Sequence, residues 1–225
     1  MKFKKTLSLS AAVAAIAISA SFAPVANAEV SASAGVANLY LFRGFDLGAG
    51  DAAVFGDINV STAGFYAGVW SSSGDAAAGI ENDIYVGYGG EAGDFNYDVF
   101  VVSYYYPNAN AGTVGETDIG DFVEVSLSLG YGPVTFNYVE NIEAKAGTYA
   151  DGFEDYNYYT LSGEFGKFGV LLGRNDFALG DDPTHLDLTY NYNDNLSFTL
   201  SKMIADEENV EKDSHFVVSY SIPIE

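Results

Sequence analysis

Seven carboxylates sit at alternate positions within short apolar runs: Asp57, Glu81, Asp83, Asp98, Glu124, Glu164 and Asp187. His185 and His215 share the pattern, and Arg43 is one of only nine Lys and Arg residues set against 31 acids. Carboxylates without cationic partners either hold protons or attract cations, so the first chemistry they suggest is selection of positive charge rather than bond making. The means for catalysis are thin. There is no cysteine, and the nearest approach to a triad is His185-Leu186-Asp187 with Ser219 elsewhere in the chain, a juxtaposition that polar strand faces produce routinely. Asp206-Glu207-Glu208 and Asp181-Asp182 lack the calcium-loop spacing Asp-x-Asp-x-Asp-Gly. Their role is solvation or, alternatively, divalent bridging to lipopolysaccharide. Gly87-Tyr88-Gly89 starts like a dinucleotide fingerprint but lacks the helix that should follow. The expectation is a non-enzyme with no catalytic residue, no metal site and no cofactor.

The elements that carry these residues have the period of strands. In Ile80–Tyr106, Ile84, Val86 and Tyr88 alternate with residues on the parity of Glu81 and Asp83. A break at Gly89–Asp94 tolerates turn dihedrals, and Phe95, Tyr97, Val99 and Val101 then resume opposite Asn96 and Asp98. Val123, Val125, Leu127 and Leu129 face away from Glu124, Ser126 and Ser128, with a turn at Gly132-Pro133. Leu186, Leu188 and Tyr190 oppose His185, Asp187 and Thr189 before a turn at Asn193–Asn195. A first strand is expected from Glu29 to Phe42, a loop over Arg43–Asp51, and a longer break at Ser71–Gly79. One side of each ribbon is greasy and the other bears carboxylates and amides, the pattern of a membrane-spanning barrel strand.

Met1–Ala28 reads as a cleaved signal peptide: Lys2, Lys4 and Lys5 precede an apolar stretch, and Ala26-Asn27-Ala28 is a small-x-small cleavage site. Cleavage removes three lysines and no acid, taking the formal charge from −22 to −25. That balance disfavours nucleic acid and favours cations. No later stretch is long and apolar enough for a membrane helix, so a membrane must be crossed by strands. Without cysteines an exported fold must hold by hydrogen bonding and packing. Seventeen Tyr, sixteen Phe and 25 Gly point to β-structure with tight turns. Short and long connectors alternate through about twelve strands, and residues 29–225 give roughly sixteen residues per strand and connector. The expected fold is therefore all-β: one transmembrane, antiparallel, up-and-down β-barrel domain of about 12 strands, with short periplasmic turns and longer extracellular loops.

Several segments resemble the TorF family of porins, also grouped as Gcw-type conserved bacterial proteins. They are Asn38-Leu39-Tyr40-Leu41-Phe42-Arg43-Gly44, Gly64–Trp70, Asp83–Tyr88, Gly93–Asp98 and Tyr104-Tyr105-Tyr106-Pro107. The resemblance covers the first half best and implies an outer-membrane location and pore activity, without assigning functional residues. One departure is the ending Tyr220-Ser221-Ile222-Pro223-Ile224-Glu225, where such barrels usually close on an aromatic residue; Pro223–Glu225 reads as a short extension.

On this register the seven acids, with Arg43, His185 and His215, line the interior. An unpaired carboxylate in a dry interior costs several kcal/mol, so a wet lumen is expected, with Arg43 as counter-charge near its mouth. Tyr40, Phe42, Trp70, Tyr88, Phe95 and Tyr104 are expected in the aromatic girdle rather than as sugar-stacking platforms. The functional expectation is a porin, a passive diffusion channel with cation preference for small cationic or neutral hydrophilic solutes. Its partners would be outer-membrane lipid, lipopolysaccharide and the barrel-assembly machinery. The alternative is a non-conducting, plugged barrel serving as a structural or surface-interaction protein through its acidic extracellular loops; a soluble exported β-sandwich is the third reading, and a barrel enzyme such as a phospholipase is far less expected.

Overall fold

A computed structural model of the chain describes residues 28–109, 115–205 and 213–224. The proposed signal peptide lies outside them except for Ala28, as do Asp206-Glu207-Glu208. The described residues contain fourteen strands and no helix: β1 (Glu29–Ala37), β2 (Leu41–Phe42), β3 (Phe45–Asp46), β4 (Ala53–Thr62), β5 (Phe65–Asp75), β6 (Gly79–Ala92), β7 (Phe95–Tyr105), β8 (Phe122–Tyr131), β9 (Val134–Ala144), β10 (Asn157–Phe165), β11 (Phe168–Asp176), β12 (Thr184–Asn191), β13 (Leu196–Ala205) and β14 (Ser214–Ile224).

Twelve of the strands form one closed antiparallel barrel. Each pairs with its neighbour in the chain, β1 stands between β4 and β14, and β2 and β3 form a separate two-stranded ribbon. Closure leaves no wall strand with an unpaired edge, which is what a bilayer without water to satisfy N–H and C=O groups demands. The outer surface is apolar all round: Ile58, Val86, Val101, Leu127, Phe136, Leu172, Leu200 and Phe216 are all exposed. A soluble protein does not leave a continuous belt of that kind open to water. The chain folds as an outer-membrane-type β-barrel, and the two-residue period runs along its strands, with the register shifting between Ser72 and Asp75, Val123 and Glu124, and Thr184 and His185.

One end of the barrel has tight turns. Ala63-Gly64, with φ of 50° and 87°, takes the paired left-handed dihedrals of a type I′ turn, whose twist matches that of the flanking strands. Outward aromatics gather at this end: Phe65 lies 4.6 Å from Tyr88, Phe95 stacks on Tyr97 at 6.3 Å, and Phe168 lies 5.2 Å from Tyr190.

Four expectations about the elements need correction. The break expected at Gly89–Asp94 is strand as far as Ala92, with Gly89 opposite Asp98, and only Gly93-Asp94 connect β6 to β7. β1 ends at Ala37 rather than Phe42, because Asn38 finishes the ladder with its side chain: its Nδ2 donates to the Phe216 carbonyl at 3.1 Å and its Oδ1 accepts from the Val218 N–H at 2.6 Å. The supposed break at Ser71–Gly79 is mostly strand, with β5 running to Asp75, whose carboxylate caps the N–H groups of Ala77 and Ala78 and permits a three-residue connection. Pro223 is not in an extension: β14 continues to Ile224, with Pro223 opposite Ser33.

Candidate functional site

Residues 38–52 leave the wall at the long-loop end and turn into the barrel. Their centre is the β2–β3 ribbon, closed by Arg43-Gly44 with φ of 49° and 88°. These are again type I′ dihedrals, but with arginine where left-handed backbone costs a non-glycine residue roughly 1–2 kcal/mol. The surroundings of Arg43 offset that cost. Its guanidinium forms a bidentate pair with Glu124 of β8, the Nη1–Oε1 arm at 2.9 Å. The rings of Phe42, Tyr158 and Tyr156 lie 4.6, 4.8 and 5.3 Å from its Cζ. Planar delocalised charge suits both kinds of contact.

The ribbon touches strands around much of the circumference. Tyr40 donates its hydroxyl to Glu81 of β6, and Asn175 of β11 donates to the Arg43 carbonyl at 3.1 Å. Gly44 lies so close to His185 of β12 and Met203 of β13 that a Cβ there would meet both. Above it, aromatic side chains of the connections and strand ends form a lid: Tyr106 and Tyr149 are 4.3 Å apart, Phe122 and Phe153 5.0 Å, Tyr156 and Phe177 4.7 Å. This end of the lumen is therefore packed, with a cavity of ≈ 50 Å³ remaining between the ribbon and the lid.

The seven acids expected inside do face inward, but in two settings. Glu81, Glu124, Asp187 and Asp83, at 1, 1, 4 and 6 % exposure, belong to the packed end. The expected wet lumen does not extend to them. Asp57 and Asp98 lie deeper towards the turn end in a less tightly filled region, and Glu164 is exposed near the turn rim. Tyrosine hydroxyls rather than Lys or Arg satisfy Glu81, Asp57 and Asp98, and at Glu124 a tyrosine adds to the Arg43 pair. Tyr104 donates to Glu124 at 2.7 Å, Tyr85 to Asp57 at 2.6 Å, and Tyr66 to Asp98 at 2.8 Å. A phenol supplies a hydrogen bond without adding charge, so the interior keeps its acidic balance.

The histidines are also inside. His185 bridges Tyr158, 2.7 Å from its Nε2, and Asp187, 2.9 Å from its Nδ1, with its ring parallel to that of Tyr158. The expected neighbour Ser219 plays no part: its hydroxyl is buried without a hydrogen bond. His215 is buried on the interior face of β14. Arg43 is likewise not a counter-charge at an open mouth but the anchor of the inserted ribbon.

Four assignments to the aromatic girdle are corrected. Tyr40, Trp70 and Tyr104 are buried inside the barrel, and Phe42 lines the inner cavity against Arg43. Trp70 stands on the inward parity of β5, with Phe55 at 6.3 Å, and Tyr40 left the wall with its loop. Tyr88 and Phe95 lie on the outward parity. The inward tyrosines were missed, although the signal was present: Tyr85 and Asp83 are two residues apart and must share a face.

With this geometry in view, residues 21–206 match the bacterial family described as "Bacterial protein of unknown function (Gcw_chp)". The chain belongs to that family. Among curated proteins none matches the sequence. Two solved structures align over 87 % of this chain and 100 % of their own, each at 12 % identity: one described as "Asymmetric conductivity of engineered proteins", TM-score 0.36, and a triple mutant of the Rh. blastica porin, TM-score 0.35. The Gcw_chp barrel described above thus combines an apolar exterior, a strongly acidic interior and an internal ribbon pinned by a buried ion pair.

Proposed function

We propose that this Gcw_chp protein is an outer-membrane porin of the TorF type, a narrow diffusion channel for small hydrophilic solutes with preference for cations. The observation that carries the reading is the closed twelve-strand barrel whose outside is apolar and whose inside bears carboxylates hydrogen-bonded by neutral tyrosines. Fixed negative charge in a confined aqueous path concentrates cations and repels anions. Export by cleavage after Ala28 fits the start of β1 at Glu29. Outer-membrane lipid and lipopolysaccharide would surround the belt, and the barrel-assembly machinery would insert it. No step of this reading is catalytic.

A second reading is favoured by one observation, the ribbon of residues 38–52 inside the lumen. It describes a barrel that conducts nothing and acts through its acidic loops. Planar-bilayer recording separates the two. The channel reading expects discrete conductance steps and, in a KCl gradient, a reversal potential of cation sign; anion preference would refute the charge argument. Silence from both the wild type and a variant lacking the ribbon would establish the second reading.

A further inference from the structure

The socket that Arg43 fills is built by the barrel wall rather than by the ribbon. Glu124 stands where the register of β8 against β9 shifts, an irregularity of the kind that re-aims a side chain. Its carboxylate also accepts the Tyr104 hydroxyl at 2.7 Å. The two wall rings against the guanidinium have partners of their own. The Tyr156 hydroxyl donates to Asn175 at 2.6 Å, and the Tyr158 hydroxyl lies 2.7 Å from His185, whose other nitrogen is 2.9 Å from Asp187. Glu124, Tyr104, Tyr156 and Tyr158 are all buried. These contacts join wall to wall, so they hold a carboxylate and two rings in place whether or not Arg43 lies between them.

The chemistry of this socket is selective. Both Glu124 oxygens are gripped by one fork of N–H groups, and the Tyr158 and Tyr156 rings lie 4.8 and 5.3 Å from the guanidinium carbon, a fit to planar, delocalised positive charge. A primary ammonium is a compact, strongly hydrated charge without the fork, and a hard metal ion asks for several converging oxygens where this socket offers one carboxylate. Arg43 itself is an imperfect occupant. It sits at φ 49°, left-handed backbone that disfavours any side chain, and its Nε is buried without a hydrogen-bond partner among the described residues. Its advantage is the tether, which presents it at high effective concentration. A free guanidinium carries no backbone strain and can compete once it is concentrated enough.

We propose that Glu124, Tyr156 and Tyr158 form a recognition site for guanidinium-bearing cations, for which Arg43 is the resident competitor, so that such a cation releases the ribbon by taking its anchor. The inference rests on reading the interior as a path for cations; it names the class of cation recognised and the event that frees the path. Binding and ribbon release are nevertheless measurable without conduction.

The probe is N-ethylguanidinium chloride, the fragment that Arg43→Ala removes beyond Cβ, titrated calorimetrically into the full-length mature barrel in detergent micelles. Saturable binding to R43A is expected, at least tenfold weaker to wild type, at least tenfold weaker for ethylammonium, and lost when R43A is combined with Glu124→Gln. In the wild type, hydrogen exchange of residues 38–52 read by mass spectrometry should accelerate with ethylguanidinium and not with ethylammonium, at concentrations that leave exchange of the wall strands unchanged. This second measurement needs no variant, so it decides the matter even where R43A does not fold. No binding by folded R43A, equal affinity of R43A and wild type, equal affinity for ethylammonium, or binding that survives Glu124→Gln would each overturn the proposal. Binding to R43A with the wild-type ribbon unmoved would mean a structural arginine socket only, and would overturn it too. Bilayer recordings of the same preparations keep the two readings apart. Conductance without ribbon release refutes this inference and spares the channel, whereas ribbon release without any conductance refutes the channel and spares the site.

Discussion

Replacing Arg43 by alanine should convert a closed passage into an open one, and the size of the effect can be worked from its contacts. The guanidinium and Glu124 are both almost fully buried, and removing one partner of such a pair generally costs about 3–5 kcal/mol because the other charge is left unpaired. Three ring contacts within 5.3 Å add up to ~2 kcal/mol each where water is excluded, an upper bound because the rings also pack on one another. Against this, an alanine at φ 49° keeps the left-handed backbone and regains nothing. Even the lower figure of about 3 kcal/mol is a factor of more than 100 in the equilibrium between inserted and displaced ribbon. Because the loss falls on the seated ribbon and not on the twelve-strand ladder, the barrel should remain folded. Single-channel recording should show R43A open most of the time where the wild type opens rarely. R43K, which keeps the charge but not the planar fork, should fall between. Trypsin supplies an independent reading: in the wild type Arg43 is enclosed and should resist cleavage. Equal open probability for wild type and R43A, with the variant verified as folded, would refute the idea that this ion pair holds the passage shut.

The other expectations follow from the same anatomy. Gly44→Ala puts a Cβ against His185 and Met203 at a left-handed position, so trypsin should cleave the variant after Arg43 while leaving wild type intact there. His185→Ala leaves the Tyr158 hydroxyl and the Asp187 carboxylate buried without their shared partner; urea unfolding from lipid vesicles should show a loss of about 1–3 kcal/mol for each group stranded. Val86→Arg places a charge on the lipid face of β6 and should cost ~2–4 kcal/mol if that residue lies at bilayer mid-depth. Asn82→Arg, near the long-loop end of the same strand and face, should cost about 0–1 kcal/mol in the same vesicle assay if it lies near the interface. Equal penalties for the two arginines would refute the membrane-spanning assignment of the outer face.

The barrel wall was legible in the sequence because its physics is local. A strand has a period of two, one face meets lipid and the other does not, so Ile84, Val86 and Asp83 declare their sides without reference to anything distant. The turns were legible for a similar reason, since Gly64, Gly132 and Gly166 occupy left-handed backbone that few other residues accept. The inserted ribbon was not legible. Leu39-Tyr40-Leu41-Phe42 has the same alternation that identifies wall strands, and nothing local distinguishes a strand that joins the ladder from one that turns away from it. That choice is made by contacts 81 to 132 residues away in the chain: Glu124 for the guanidinium, and the Asn175 amide for the Arg43 carbonyl. The girdle assignments of Tyr40 and Phe42 failed with it.

The tyrosines make the same point about chemistry. Counting charges alone suggested that acids without cations require a water-filled lumen. The inference weighed a cation, water or a proton on the carboxyl itself, and a buried phenol is a further option. Tyr40, Tyr66, Tyr85, Tyr104 and Tyr149 each donate to an acid while filling space that water would otherwise occupy. An interior built this way can be closely packed and still carry net negative charge, because hydrogen bonding and neutralisation are supplied by different groups. Packing then sets how wide the passage is, and the unneutralised acids set which ion is admitted, so substitutions of inward tyrosines by phenylalanine should alter selectivity and stability without widening the barrel.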